Sequence, residues 1–213
     1  MHGTFELTQL DARGLRDADF RAAARRGRTG DLLRDLPVVG RYEGRNLVFD
    51  MIPSFLFNRL MSGPAAKGPM IYESGSAALS AMSLLTTSAE PTYEEYTWEY
   101  GETLYTLQEH AGGGGKRFIE DVIETTLIQS NQAGREAVDC RSRWLFLPSE
   151  GVSSNIRSIG IYFARDGDYT GGNSERGRVA RVRIKDAAGR PVIINKTSSQ
   201  VLLIEYTFRL VSV

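Results

Sequence analysis

The chain has 213 residues, 41% of them hydrophobic, and its 26 basic and 26 acidic residues cancel to a formal net charge of zero. A chain of this length buries roughly 70% of its unfolded surface, so neither disulfides nor a metal is needed to hold it, and one core with an additional arm is the expected organisation. Zero net charge excludes a general nucleic-acid coat, which would be basic, and it lowers the repulsion between copies of the chain.

The basic residues are 22 Arg and four Lys (Lys67, Lys116, Lys185 and Lys196). GC-rich codon usage accounts for this bias, and so does a use of Arg forks to bind carboxylates across subunit contacts; both readings stay open. The single Cys140 rules out an internal disulfide framework and fits folding in a reducing cytoplasm. MHGTFELTQL lacks the charged start and apolar centre of a signal peptide, and no apolar run reaches membrane-spanning length. The expectation is a soluble product made in the cytoplasm, with neither membrane nor nucleic acid as partner.

Along the chain, LDARGLRDADFRAAARRGR predicts a short helix from about Asp17 to Arg26, with Gly27 and Gly30 as breakers. Arg25, Arg26 and Arg28 read as a solvated helix end, where positive charge favours the dipole, or as contacts to an acidic neighbour. In RNLVFDMIPSFLFNRLMSGP, Asp50 can cap and Pro53 suits a first turn. Phe55, Leu56, Leu60 and Met61 supply an apolar face before Gly63 and Pro64 end the helix. Met70 to Glu73 reads as a short extended piece, and Ala77 to Leu85 fits either helix or loop.

From Pro91 the period shortens to two. Tyr96, Trp98 and Tyr100 alternate with Thr97 and Glu99 as in a half-buried strand. AGGGGK (Ala111 to Lys116) lacks the spacing of a phosphate-binding loop and reads as a flexible hairpin tip. RFIEDVIETTLIQ, CRSRWLFLP and IRSIGIYFAR are further strands, with Glu120, Asp121 and Glu124 on an exposed strand face.

In RVARVRIKDAAGRPVIINKTSSQVLLIEYTFRLVSV, Val179, Arg181, Arg183 and Lys185 face one way and Ala180, Val182 and Ile184 the other. Asp186 to Gly189 supplies turn chemistry, and Pro191 suits a strand start that needs no ladder N–H. The last strand sets Leu202, Ile204, Tyr206, Phe208 and Leu210 against Val201, Leu203, Glu205, Thr207 and Arg209. A face so apolar must be buried, which makes this strand a central piece of a sheet core.

Chemistry-bearing patterns are sparse. The two histidines, His2 and His110, cannot build a multi-histidine metal site. Cys140 lies beside Arg141 and Arg143 without a histidine partner placed by the sequence. DGDYTGGNSE (Asp166 to Glu175) begins like a calcium loop but has Gly177 where a bidentate Glu belongs, so it reads as a polar hairpin loop. Glu94, Glu95, Glu99 and Glu102 offer carboxylates that the sequence cannot place across a cleft. The expectation is no enzyme, no metal and no cofactor.

Four stretches carry a resemblance. NLVFDMIPSFLFNRLMSG, IYESGSAAL, IRSIGIYFA and RVRIKDAAGRPVIINKTSSQVLLIEYTFRLV resemble, in order, segments of small structural proteins of tailed-bacteriophage virions. The features shared are a short apolar helix after Asn-Leu, a glycine-containing strand end, a strand with an Ile-Gly pair, and a closing hairpin with an aromatic-bearing last strand. The resemblance runs from Asn46 to the end and is thinnest between Pro91 and Ser149. It implies a virion protein of the tail, neck, baseplate or fibre-attachment region, partnered by copies of itself and other virion proteins. A capsid cement protein and a carbohydrate-binding module using Tyr93, Tyr96 or Trp98 are the alternatives.

The sequence therefore predicts a mainly β, antiparallel sandwich or jelly-roll-like fold with one or two short N-terminal helices. Residues 1–45 are expected as an N-terminal arm with a short helix, and 46–213 as a β-rich structural domain. Ten of the 22 Arg residues precede residue 60, and Arg21, Arg25, Arg26, Arg28 and Arg209 are the candidate subunit contacts.

Overall fold

The computed structural model describes residues 2–48, 78–86, 88, 110–117, 123–132, 135–164 and 176–211. Within them the chain forms β1 (His2–Asp11), α1 (Asp17–Arg25), α2 (Thr29–Arg34), β2 (Val38–Val48), β3 (Ala78–Leu85), β4 (His110–Arg117) and β5 (Ile123–Gln132). It continues with β6 (Arg135–Phe146), β7 (Ser153–Ile156), β8 (Ser158–Ala164), β9 (Arg176–Arg183), β10 (Ile194–Lys196) and β11 (Gln200–Val211). Nine strands join in the order β4-β3-β8-β9-β2-β1-β11-β6-β5, every pairing antiparallel, and β10 and β7 form a separate ribbon. The fold is mainly β and antiparallel, with two short N-terminal helices among the described residues, as the sequence predicts.

Period-two alternation builds the core. In β1 the side chains of Phe5, Leu7 and Gln9 are buried while Thr4 and Glu6 are exposed. In β11 Leu202, Ile204 and Tyr206 are buried, and in β6 Trp144 and Phe146. The register sets Leu7 opposite Ile204 and Ile204 opposite Trp144, so one apolar face crosses adjacent strands. Leu84, Ile159 and Val182 repeat this across β3, β8 and β9. Each fully buried side chain of this size contributes about 1.5–3 kcal/mol of transfer free energy.

The N-terminal segment is not a detached arm. β1 lies between β2 and β11, inside the sheet, and the helices close one end of its other face. There Leu10, Leu145, Leu147 and Val201 pack with Ala12, Phe20 and Leu33. The narrow stripe of α1 is enough because Phe20 is its one fully buried apolar anchor, seated over strand residues already fixed by the ladder. This also explains why Val201 is buried although its side of β11 was expected to be the outer one.

Other local readings change as well. Gly27 ends α1 with φ +67°, but Gly30 lies inside α2 instead of breaking the chain. The glycine run, expected as a hairpin tip, lies within edge strand β4, where Gly115 stands opposite Ser83 of β3 and the register shifts between Ser83 and Leu85. Ala78–Leu85 is a strand, neither helix nor loop. Arg181, placed by its alternation opposite the buried Val182, is itself 1% exposed, so both faces of β9 are covered there. The turn at Asp186 to Gly189 forms as read, with the Asp186 carboxylate accepting the Ala188 and Arg190 N–H groups at 2.9 Å each.

The expected helix around Phe55, the extended piece at Met70, the strand at Tyr96 to Tyr100, Glu120, Asp121, the four glutamates from Glu94 to Glu102 and the Asp166 loop lie outside the described residues.

Candidate interaction surface

Two exposed charged features stand on the side of the sheet that carries α1. The first is the end of that helix. Asp17 and Asp19 occupy the first turn, and the Asp19 carboxylate accepts the Arg16 N–H at 2.8 Å, an arrangement the helix dipole favours. At the other end the Gly27 N–H donates to the Ala24 carbonyl and the Arg28 N–H to the Ala23 carbonyl, each at 2.9 Å. This Schellman pairing fixes the backbone that carries Arg25, Arg26 and Arg28. All three side chains are exposed, and none forms an ion pair among the described residues.

Arg21 differs from them. Its guanidinium reaches Glu150 at 3.6 Å, and Glu150 in turn accepts the Leu147 N–H at 2.7 Å. One turn earlier, Asp17 accepts the backbone N–H of Ser149 at 3.1 Å and also its hydroxyl. Of the expected subunit contacts, Arg21 therefore ties α1 to the turn after β6 within its own chain. Arg209 stands in β11 opposite His2 of β1 and Asp139 of β6, and its side chain, like those of Phe208 and Leu210, lies outside the described residues.

The second feature is a row of charge across the sheet. Glu43 of β2 stands opposite Glu6 of β1, Glu6 opposite Glu205 of β11, Glu205 opposite Arg143 of β6, and Arg143 opposite Glu124 of β5. Lys185 bridges to Glu43 from the far side. The flanking exposed positions are Arg41, Arg45 and Thr4. Arg143 donates from Nε at 2.9 Å and from a terminal nitrogen at 2.6 Å to one oxygen of Glu205, a cross-strand pair of ordinary kind.

Glu6 has a glutamate on each side. Like charges directly opposite one another cost stability, and neither Glu6 nor Glu43 forms an ion pair among the described residues. The carboxylates do not converge, and among the described residues no group of three or more His, Cys, Asp or Glu is placed to hold a metal. Sequence reasoning missed Glu6 and Glu43. The alternation of Phe5 and Leu7 with Thr4, Glu6 and Thr8 was the available signal for the first of them.

The buried polar groups serve the fold. Lys196 is 1% exposed and its ammonium donates to the Leu147 and Pro148 carbonyls at 2.9 and 3.0 Å. Gln9 donates to the Asn195 carbonyl at 2.8 Å and to Gln200 Oε1 at 3.0 Å. These bonds satisfy groups that would otherwise be costly to bury. Cys140 lies mid-strand in β6, opposite Phe208 and Leu127. No described helix is long and apolar enough to cross a membrane. Comparison with known protein families, with curated proteins and with solved structures finds no match to the chain.

Proposed function

We propose that the chain is a non-enzymatic structural protein that assembles with copies of itself and with other proteins of a tailed-bacteriophage virion, in the tail, neck, baseplate or fibre-attachment region. The observation that carries the assembly reading is the set of exposed charged side chains on regular elements, Arg25, Arg26 and Arg28 at the end of α1 and Glu6 and Glu43 of the sheet, that form no ion pair among the described residues. Charge of this kind on a neutral protein gives register and partner choice in protein contacts more than it gives stability. The virion assignment rests on the four sequence stretches from Asn46 onward that resemble phage structural proteins.

The test is to fractionate particles that contain this chain into heads and tails and to locate it by mass spectrometry and imaging. Recovery with tails supports the proposal. Recovery with emptied heads favours a cement protein, and binding of glycan by the isolated monomer favours a carbohydrate-binding module. Turnover of a substrate would reject the non-enzymatic reading.

A further inference from the structure

We infer that β5 is a docking edge for a second copy of the chain: β5 of one copy pairs antiparallel with β5 of another, about a two-fold axis through Ile128, and joins two sheets into one. This rests on the assembly reading above and gives it a surface.

The inference starts from unpaired backbone. β5 ends the nine-stranded sheet, and among the described residues no strand pairs with it on the side away from β6. Its ladder to β6 runs from Ile123 opposite Trp144 to Gln132 opposite Arg135 without a register shift, so the strand is regular over its whole length. Successive residues of an antiparallel strand turn their N–H and C=O groups to alternate sides. Every second residue of β5 therefore presents both groups away from β6. A regular row of such groups is a template for one kind of occupant, another extended strand.

The two ends of the sheet differ in how they treat that template. β4, at the other end, carries a glycine run followed by Lys116 and Arg117, and its pairing with β3 shifts register. Charge, glycine and irregular register are the features that keep an edge from pairing onward. β5, IETTLIQSNQ, has no Pro, Gly, Lys or Arg, and Ile123, Thr125, Thr126 and Ile128 are β-branched residues that suit a strand.

The order of residues in β5 selects a copy of itself. Residues directly opposite one another share a face, so a two-fold axis normal to the sheet passes through a residue and not between two. An axis at Ile128 sets Ile128 opposite Ile128, Leu127 opposite Gln129, Thr126 opposite Ser130, Thr125 opposite Asn131 and Glu124 opposite Gln132. The one charged residue of the strand thus meets a neutral amide able to donate to it. Hydroxyls meet a hydroxyl or an amide, and the branched residue at the axis meets itself; such pairs stabilise antiparallel strands. Moving the axis to Leu127 sets Thr126 opposite Ile128 and Ile123 opposite Asn131, which mixes apolar with polar and disfavours that register. The contact is isologous and uses up the edge on both copies, so it closes at a dimer.

The experiment is cysteine cross-linking of the full chain under mild oxidation, beside sedimentation velocity of the parent. The parent is expected to sediment as a dimer. Ile128→Cys should form a covalent dimer, because the two axis residues lie within disulfide reach. Thr126→Cys and Ser130→Cys should each stay largely uncross-linked alone. Mixed in equal amounts they should give at least about tenfold more covalent dimer than either does, since the held pair has a high effective concentration. Cys140 stands opposite Leu127, out of step with positions 126, 128 and 130, and the parent serves as its control. If Ile128→Cys fails to fold, the Thr126→Cys and Ser130→Cys mixture carries the test. A dimeric parent whose mixture cross-links no better than its components overturns the β5 contact and leaves self-assembly standing. A monomeric parent also overturns the contact, and the assembly reading falls with it only where the chain binds no virion component either.

Discussion

Asp17, in the first turn of α1, holds both the backbone N–H and the hydroxyl of Ser149, 132 residues further along the chain. The pair locks the helix onto the turn that follows β6, beside the Arg21–Glu150 contact. Asp17→Ala removes a charged acceptor from two donors and an acid from a helix N-terminus. It should destabilise the protein by about 1–2 kcal/mol in urea titration. Ser149→Ala keeps the backbone donor and should cost less. Equal effects would show that the hydroxyl, and not the backbone N–H, carries the contact.

Phe20 separates an integral helix from a detachable arm. It is 0% exposed among Leu10, Leu33, Leu145 and Val201, so Phe20→Ala should cost about 3–5 kcal/mol. Arg25→Ala, one turn on and exposed, should stay within about 0.5 kcal/mol. Deleting residues 1–40 removes β1 from between β2 and β11 and should abolish cooperative unfolding altogether. A truncated chain that melts like the parent would show that the sheet closes without β1.

Much of this was legible in the residues. Asp17 and Arg25 bound α1 almost where the helical period and the glycine placed it, and Leu202, Ile204 and Tyr206 are buried as their alternation requires. The errors have common physical causes. Residues 1–45 are expected as an arm, yet the alternation in HGTFELTQL puts Phe5 and Leu7 on one side, which is enough for a strand to join a sheet. The glycine run is flexible by composition, yet the residues on either side of it, His110 and Lys116 with Arg117, pair with β3 and draw it into an edge strand with an irregular register, the place in a sheet where glycine is tolerated. The glutamate row was beyond reach because Glu43, Glu6 and Glu205 become neighbours only through register.

Gly44 records how tightly β2 meets β1. It lies directly opposite Phe5, whose ring covers it, and a Cβ at position 44 would stand 2.5 Å from Phe5 Cε1. Gly44→Ala should therefore cost about 1–3 kcal/mol despite the gain in strand propensity. Combining it with Phe5→Leu, which shortens the obstructing side chain, should give a loss smaller than the sum of the two single losses. Strict additivity would mean that the ring and the glycine do not share one space.

The turn at Asp186 gives an acid-side signature. The carboxyl of Asp186 is held below its ordinary value of 3.8, first by the Arg190 backbone N–H and then by the Arg190 side chain. Asp11 is likewise lowered, chiefly by the side chain of Arg13 and then by its backbone N–H. A carboxyl whose pKa is lower folded than unfolded contributes stability above the unfolded value, and this is lost as pH falls through the folded one. Asp186→Asn keeps an acceptor in the turn but removes the titration. Its urea midpoint should fall less steeply than that of the parent as the pH drops below 3.8. Parallel acid limbs would show that Asp186 does not contribute.

Lys196 tests whether a buried charge can be a structural brace. Its ammonium is 1% exposed and donates to the carbonyls of Leu147 and Pro148, joining β10 to the segment that leaves β6. Lys196→Met keeps most of the stem and removes the donors, leaving two carbonyls with one partner fewer. The expected loss is about 1–3 kcal/mol. Lys196→Ala removes the stem as well and should lose more, because a cavity is added to the orphaned carbonyls. The order of the two losses carries the argument. If Met and Ala are equally damaging, the ammonium alone matters and the stem packs against nothing. If Met matches the parent, water or backbone rearrangement satisfies the carbonyls, and the charge is not what fixes this end of the sheet.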